Sequence, residues 1–249
     1  MTYTKAVIIV AVALGGAALG ASPSVAQDIA ISLGDETTLS ARAMQLIALM
    51  TVLSLAPGIA IMITCFPFVV TVLSILRQAI GLQAAPPNML IVSLALFLTY
   101  FVMDPVFTES WQVGLKPLND GILTVEQAIP KALEPFRGFM AARVDVDTFF
   151  MLSELRPEQA GDGTPATASL SVLIPSFMLS EIERAFQIGF LVFLPFLIID
   201  LVVSAVLMSM GMMMVPPAIV SLPFKLAFFV VADGWALISR SLVEGYAPF

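Results

Sequence analysis

The sequence predicts an all-α protein of membrane-type helical hairpins: two kinked hairpins around a polar helical insert. Three observations carry this prediction. Of 249 residues, 59% are hydrophobic and only 12% are charged, against about 45–50% and about 25% in soluble domains. The apolar residues fall in two long blocks, residues 43–107 and 172–245, with ordinary charge density between them. Each block holds a turn of one form, Gly81-xxxx-Pro86-Pro87 and Gly211-xxxx-Pro216-Pro217. A glycine ends one helix and a proline pair opens the next, the punctuation of a hairpin tip; chance similarity of two turns is the alternative.

Taken in order, residues 1–26 carry the grammar of a secretory signal peptide. Met1–Lys5 is a short positive start, Ala6–Leu19 an apolar run, and Ser22–Ala26 a breaker with small residues before Gln27. Cleavage is expected near Ala26; an uncleaved anchor is the alternative. Residues 27–42 form a short polar arm with Asp28, Asp35, Glu36 and Arg42. The remainder, 43–249, is expected to be a single domain.

Ala43–Leu76 is too long for one span of about 20 residues. Broken by Pro57-Gly58 and Pro67, it predicts a helix to about Ala56, a kink, and a continuation to Leu76. After the turn, Met89–Phe107 is the returning helix, with Asp104-Pro105 at its outer end. Residues 108–171 are water-facing, mostly an amphipathic helix over Val125–Leu155 interrupted at Pro130 and Pro135, then a flexible loop, Gln159–Ser169. Val172–Met214 and Ala218–Val243 form the second hairpin, followed by a short tail.

Several function classes are excluded or weakened. The net charge is −7, so no basic surface exists for nucleic acid. There is no histidine, which removes the commonest general base and metal ligand. The one cysteine, Cys65, sits in an apolar run and reads as a small buried hydrophobe. No GxSxG, P-loop or HExxH motif is present, so no enzyme, cofactor or metal is expected.

The charges inside apolar runs are the chemistry-bearing candidates. Asp200, Lys225 and Asp233 each cost several kcal/mol there unless paired or hydrated. Asp200 precedes the second turn, and Lys225 follows it, by similar lengths, so they lie at one level on facing helices. A self-neutralising structural pair and a proton-coupling or gating pair are both open, within one chain or between copies. Five methionines, Met208, Met210, Met212, Met213 and Met214, crowd the tip; a deformable apolar seal and plain packing are both open. Glu181/Glu183 and Asp145/Asp147 are spaced i, i+2 and are expected to be solvated.

The runs FQIGFLVFLPFLIIDLVVSAVLMSMGMMMVPP (Phe186–Pro217) and LPFKLAFFVVADGW (Leu222–Trp235) resemble the FliP family of flagellar type III export gate proteins. The first hairpin agrees, in LSILRQAIGLQAAPPN (Leu73–Asn88) and LALFLTYFVMDPV (Leu94–Val106). The resemblance covers about residues 43–245. It implies an export-gate subunit of the bacterial inner membrane and flagellar basal body. About five copies would join FliQ and FliR in a helical channel entrance, working with FlhB and FlhA to pass unfolded flagellar subunits outward. It also implies that Met212, Met213 and Met214 form a methionine loop sealing the pore, that Phe139 belongs to a pore gasket, and that Asp200 and Lys225 occupy charged family positions. Thr64–Phe68 lacks an arginine common in the family, and the loop at 159–169 is unlike the family's. A proton- or ion-coupled transporter or channel subunit using Asp200, Lys225 and Asp233 is the alternative; a carrier of that kind would work without FliQ- and FliR-like partners. A membrane-embedded enzyme fits least, lacking a nucleophile motif.

Overall fold

A computed structural model describes residues 39–82, 86–159, 161–212 and 214–246. The signal peptide and nearly all of the polar arm lie outside the described residues. The described residues form helices and no strand. Two compact units divide the chain at Ser54/Leu55. The first is helical wherever it is described, with Thr51 Oγ1 donating to Ile47 O at 2.8 Å.

Helix α1 spans Leu39–Met62 and includes Pro57. The break comes at 63–65, not at Pro57-Gly58. Pro67 explains its place: in the first turn of α2 (Phe66–Ile80) a proline has no needed N–H to lose. Thr64 bridges the break, its hydroxyl donating to Ile61 O at 2.9 Å and accepting the Phe66 N–H at 3.4 Å. Helix α2 ends on Gly81, whose left-handed φ of 88° lets its N–H close on Gln78 O. Arg77 braces the turn, donating to Pro86 O at 3.4 Å and to Asn88 Oδ1.

Helix α3 (Asn88–Ser110) does not end at Asp104-Pro105. It runs on through a π-helical turn, Trp111–Leu115, into α4 (Lys116–Asn119), making one 32-residue rod. Nor is α5 (Val125–Arg143) interrupted at Pro130 and Pro135. Each proline withholds one donor, from the carbonyls of Glu126 and Lys131, and both of those residues are exposed, where water replaces the bond. The interruption is at Val144, where Asp145 caps α6 (Val146–Glu154) by accepting the Thr148 N–H at 2.9 Å. That bond, with the Thr148 hydroxyl, holds the Asp145 carboxyl below its ordinary pKa.

Residues 161–169 are pinned rather than flexible. Thr164 and Thr167 hydroxyls bond at 2.9 Å, Arg137 donates to Ala166 O and Ala168 O, and Ala168 is fully buried. Helix α7 (Leu170–Ser209) then runs 40 residues through Pro175 and Pro195. Across the second turn, α8 (Pro217–Val231) and α9 (Gly234–Glu244) meet at a 61° bend.

The core forms where α2 lies along α7. Leu173, Phe177, Glu181, Ala185 and Gly189 recur every fourth residue, all buried, so one face of α7 is closed against neighbours. Among the described residues, two helices are long and apolar enough to cross a membrane, Asn88–Asn119 and Leu170–Ser209, or up to four if each bent pair counts as one span. The 40-residue α7 extends about 60 Å, twice a hydrocarbon core of about 30 Å.

Two glycines permit the closest helix approaches, and they should differ in tolerance. A Cβ on Gly114 would meet the Ala132 backbone at 2.7 Å, whereas one on Gly189 would meet the Ile75 δ-methyl at 2.4 Å, which can rotate away. Gly114→Ala should therefore push α5 off its seat and cost about 1–3 kcal/mol. Gly189→Ala should cost less, part of its loss being offset by better helix propensity. Melting temperatures in detergent check the order; equal losses would contradict it.

Candidate functional site

Two polar knots interrupt the apolar interior. The lower one lies near the hairpin tips. Lys225 Nζ of α8 donates to Asp200 Oδ2 of α7 at 2.6 Å and to Ala79 O of α2 at 3.1 Å. Ser221, one turn before Lys225, donates to Asp200 Oδ1 at 2.6 Å. The lysine side chain is 7% exposed and the aspartate 32%. The ion pair is thus intramolecular, and each partner has a hydrogen bond besides the pair itself, which offsets the cost of a charge in a low-dielectric place. The Ala79 carbonyl ties the pair to the first hairpin, and the Gly81 backbone lies against Leu222 and Lys225. The first turn thus rests against α8 about two helical turns from the second tip.

The upper knot was not expected. Glu181 is 0% exposed, not solvated, although Glu183 on the neighbouring face is exposed. Its carboxylate takes Arg143 Nε at 3.3 Å, Arg184 Nη1 at 3.5 Å and the Tyr246 hydroxyl. The Arg143 guanidinium also lies 4.0 Å over the Tyr246 ring and donates to Gly245 O at 2.7 Å. Beside it, the Asp145 N–H donates to Ser180 Oγ at 2.9 Å, and Ser180 passes the bond to Ser176 O. The signal for this burial lay in the every-fourth-residue stripe, in which small Ala185 and Gly189 follow Glu181.

The remaining candidates are spread out. Asp233 is exposed rather than buried: the chain turns there, with φ 48°, and its carboxylate leaves the apolar runs on either side. Phe139 is 3% exposed and packs on Phe177 and Tyr246, and it also forms part of the wall of a groove of about 380 Å³ beside Pro105 and Pro135. Met212 and Met214 are exposed at the second tip beside Gly211, φ 75°, while Met213 lies outside the described residues. Pro87 and Pro216 take the N-cap positions of α3 and α8. Met210 and Met212 help line an apolar groove of about 560 Å³ between α7 and α8. Cys65 is buried.

Removing either member of the lower pair leaves the other uncompensated. Lys225→Met and Asp200→Ala should each cost about 3 kcal/mol, and the double substitution less than their sum. Exchanging the two should not rescue, because a carboxylate at position 225 would face the Ala79 carbonyl. Melting of the purified variants checks this; full rescue by exchange would contradict it. In the upper knot, burial and then the Glu181 charge hold the Tyr246 hydroxyl above the ordinary tyrosine pKa. Neutral phenol is the bound form, so its stabilisation is complete below about pH 10 and is lost as pH rises beyond that. Tyr246→Phe should show a flatter alkaline loss of melting temperature than the native chain; matching slopes would contradict this.

Residues 49–242 match the model of the FliP family. The chain is 50% identical over 244 residues to the flagellar biosynthetic protein FliP of Caulobacter vibrioides, covering 97% of this chain and 90% of the relative. It is 48% identical to the FliP of Agrobacterium fabrum, covering 80% and 81%, and 46% identical to that of Bacillus subtilis, covering 81% and 91%. With four-fifths or more of both chains matched in each comparison, the chain belongs to the FliP family.

Proposed function

We propose that this chain is a core subunit of the flagellar type III protein export gate, forming the channel entrance through which unfolded flagellar subunits leave the cell. The relatives named flagellar biosynthetic proteins support the flagellar assignment. The observation that carries the channel role is the open apolar surface. In the most apolar stretch of α7 only 11% is buried within the chain. The exposed large apolar residues of α7 run from Leu179 to Met208, about 44 Å of helix against a hydrocarbon core of about 30 Å, so a bilayer alone does not cover them. Other chains cover the rest: further copies, FliQ and FliR, with FlhB and FlhA beside them at the basal body in the inner membrane. The part played is structural and transporting, not enzymatic, and the segment to Ala26 is a cleaved signal peptide.

In this reading the second tip is the seal. Met214, 96% exposed, and Met212 present flexible thioethers at a turn that the lower knot holds in place, and a ring of such tips closes without a fixed lock-and-key fit. Phe139, enclosed in the core, is assigned no gasket contact. An ion-coupled carrier is less well supported, because Asp200 and Lys225 neutralise each other in one chain and Asp233 is exposed at the α8–α9 bend.

A deletion strain tests the assignment: it should lose motility and secrete no hook or filament subunit, both restored by the intact gene. Normal flagella in that strain would overturn it. Replacing Met212–Met214 with alanine should leave assembly intact but make the closed gate leak small ions; an unchanged leak would reduce the methionines to packing.

A further inference from the structure

Helix α9 is fastened most firmly at its two ends, with Ile238 and Val243 only partly buried against the core. Of its residues only Gly234 and Leu242 are buried, while Leu237 and Arg240 stand in the open. At its start, Asp233 has φ 48° and ψ 48°, a left-handed conformation that costs a non-glycine residue of order 1 kcal/mol. The aspartate side chain makes no capping hydrogen bond to the helix it precedes. The Gly234 backbone is set against the Phe229 ring, and Trp235 meets the same ring edge-on at 5.4 Å between centroids. This is a tight, strained pivot.

Just beyond its far end, Tyr246 is 2% exposed and touches three separate elements. Its ring meets Phe68 of α2 edge-on at 5.4 Å and stacks on Phe139 of α5 at 6.1 Å. Its hydroxyl donates to Glu181 of α7. Arg143, the last residue of α5, covers the ring and holds the Gly245 carbonyl, while its Nε pairs with the same Glu181. The polar insert is thereby fixed to the α7 shaft through Arg143 and the Asp145–Ser180 bond, and the segment after α9 is fixed to both through the Tyr246 phenol. A buried carboxylate has strong need of its donors, and loss of the Tyr246 hydroxyl leaves one Glu181 oxygen without its hydrogen bond although Arg143 and Arg184 still face the carboxylate.

We propose that α9 is a strap that pivots at Asp233 and is held closed by Tyr246, so that releasing this one residue frees α9 and the end of the insert while the α2–α7 core stays intact. Chain-terminal segments open locally at lower free energy than a core, and here the opening has a defined hinge and a defined catch. Tyr246 acts through Glu181 and Arg143 as a positioning residue for the junction between insert and shaft.

Hydrogen exchange on the full-length chain, purified in detergent in its assembled complex, tests the strap. Tyr246→Ala should speed exchange in residues 237–246 and 140–144 about tenfold or more and leave residues 185–199 of α7 unchanged. Tyr246→Phe, which keeps the ring and loses the hydroxyl, should give a smaller rise in the same segments. Asp233→Gly, which relieves the pivot, should leave the closed strap's exchange close to native. No change with Tyr246→Ala would overturn the strap. A uniform rise across α2, α7 and α9 would also overturn it, making Tyr246 an ordinary core residue.

Discussion

An ammonium group with almost no access to solvent must find compensation within the protein, and Lys225 finds it on two different helices. Asp200 supplies the opposite charge from α7, and the Ala79 carbonyl supplies a second acceptor from α2. Neither alone would satisfy the three donors of a lysine. The requirement therefore sets the two hairpins against each other at one height. The turns follow from it: Gly81 comes to rest beside Leu222 and Lys225, and the methionine tip is carried on helices that cannot slide. Apolar packing between smooth helices lacks that registry, because leucine and valine surfaces accept many alignments.

The upper knot does the same work at the other end of the shaft. Glu181 and Asp200 are 19 residues apart on α7, about 28 Å along the axis. Between them the contact is apolar, and Gly189 lets Ile75 come close. The shaft is thus pinned at two levels, once to the first hairpin and once to the insert and the chain's end. Away from its closed stripe, α7 exposes Phe186, Phe190, Leu191 and Ile198, and this open face gives an assembly its contact surface.

The fold class was legible because composition and block pattern act over the whole chain. The lower pair was legible because equal counts from a turn put Asp200 and Lys225 level, whatever surrounds them. Proline was misread. Pro57, Pro105, Pro130 and Pro135 sit inside helices, since the loss of one donor matters only when the freed carbonyl has no substitute. Glu181 was misread because i, i+2 spacing says that Glu181 and Glu183 diverge, not which one turns inward. That choice is made by Tyr246, 65 residues away, and no local pattern reports it. Asp233 looked buried in an apolar run, but the run is two helices with a bend between them.

The central claim is that the buried Lys225 cation holds the hairpin tips in register. Spin labels at Gln78, exposed near the first tip, and Ile219, 69% exposed near the second, report their separation directly by pulsed dipolar spectroscopy; buried Cys65 is replaced by serine. The native chain should give one narrow distance distribution, and Lys225→Met a broad one extending to longer distances. A distribution that stays narrow and unshifted after loss of the cation would contradict the account, leaving apolar packing as sufficient to align the tips.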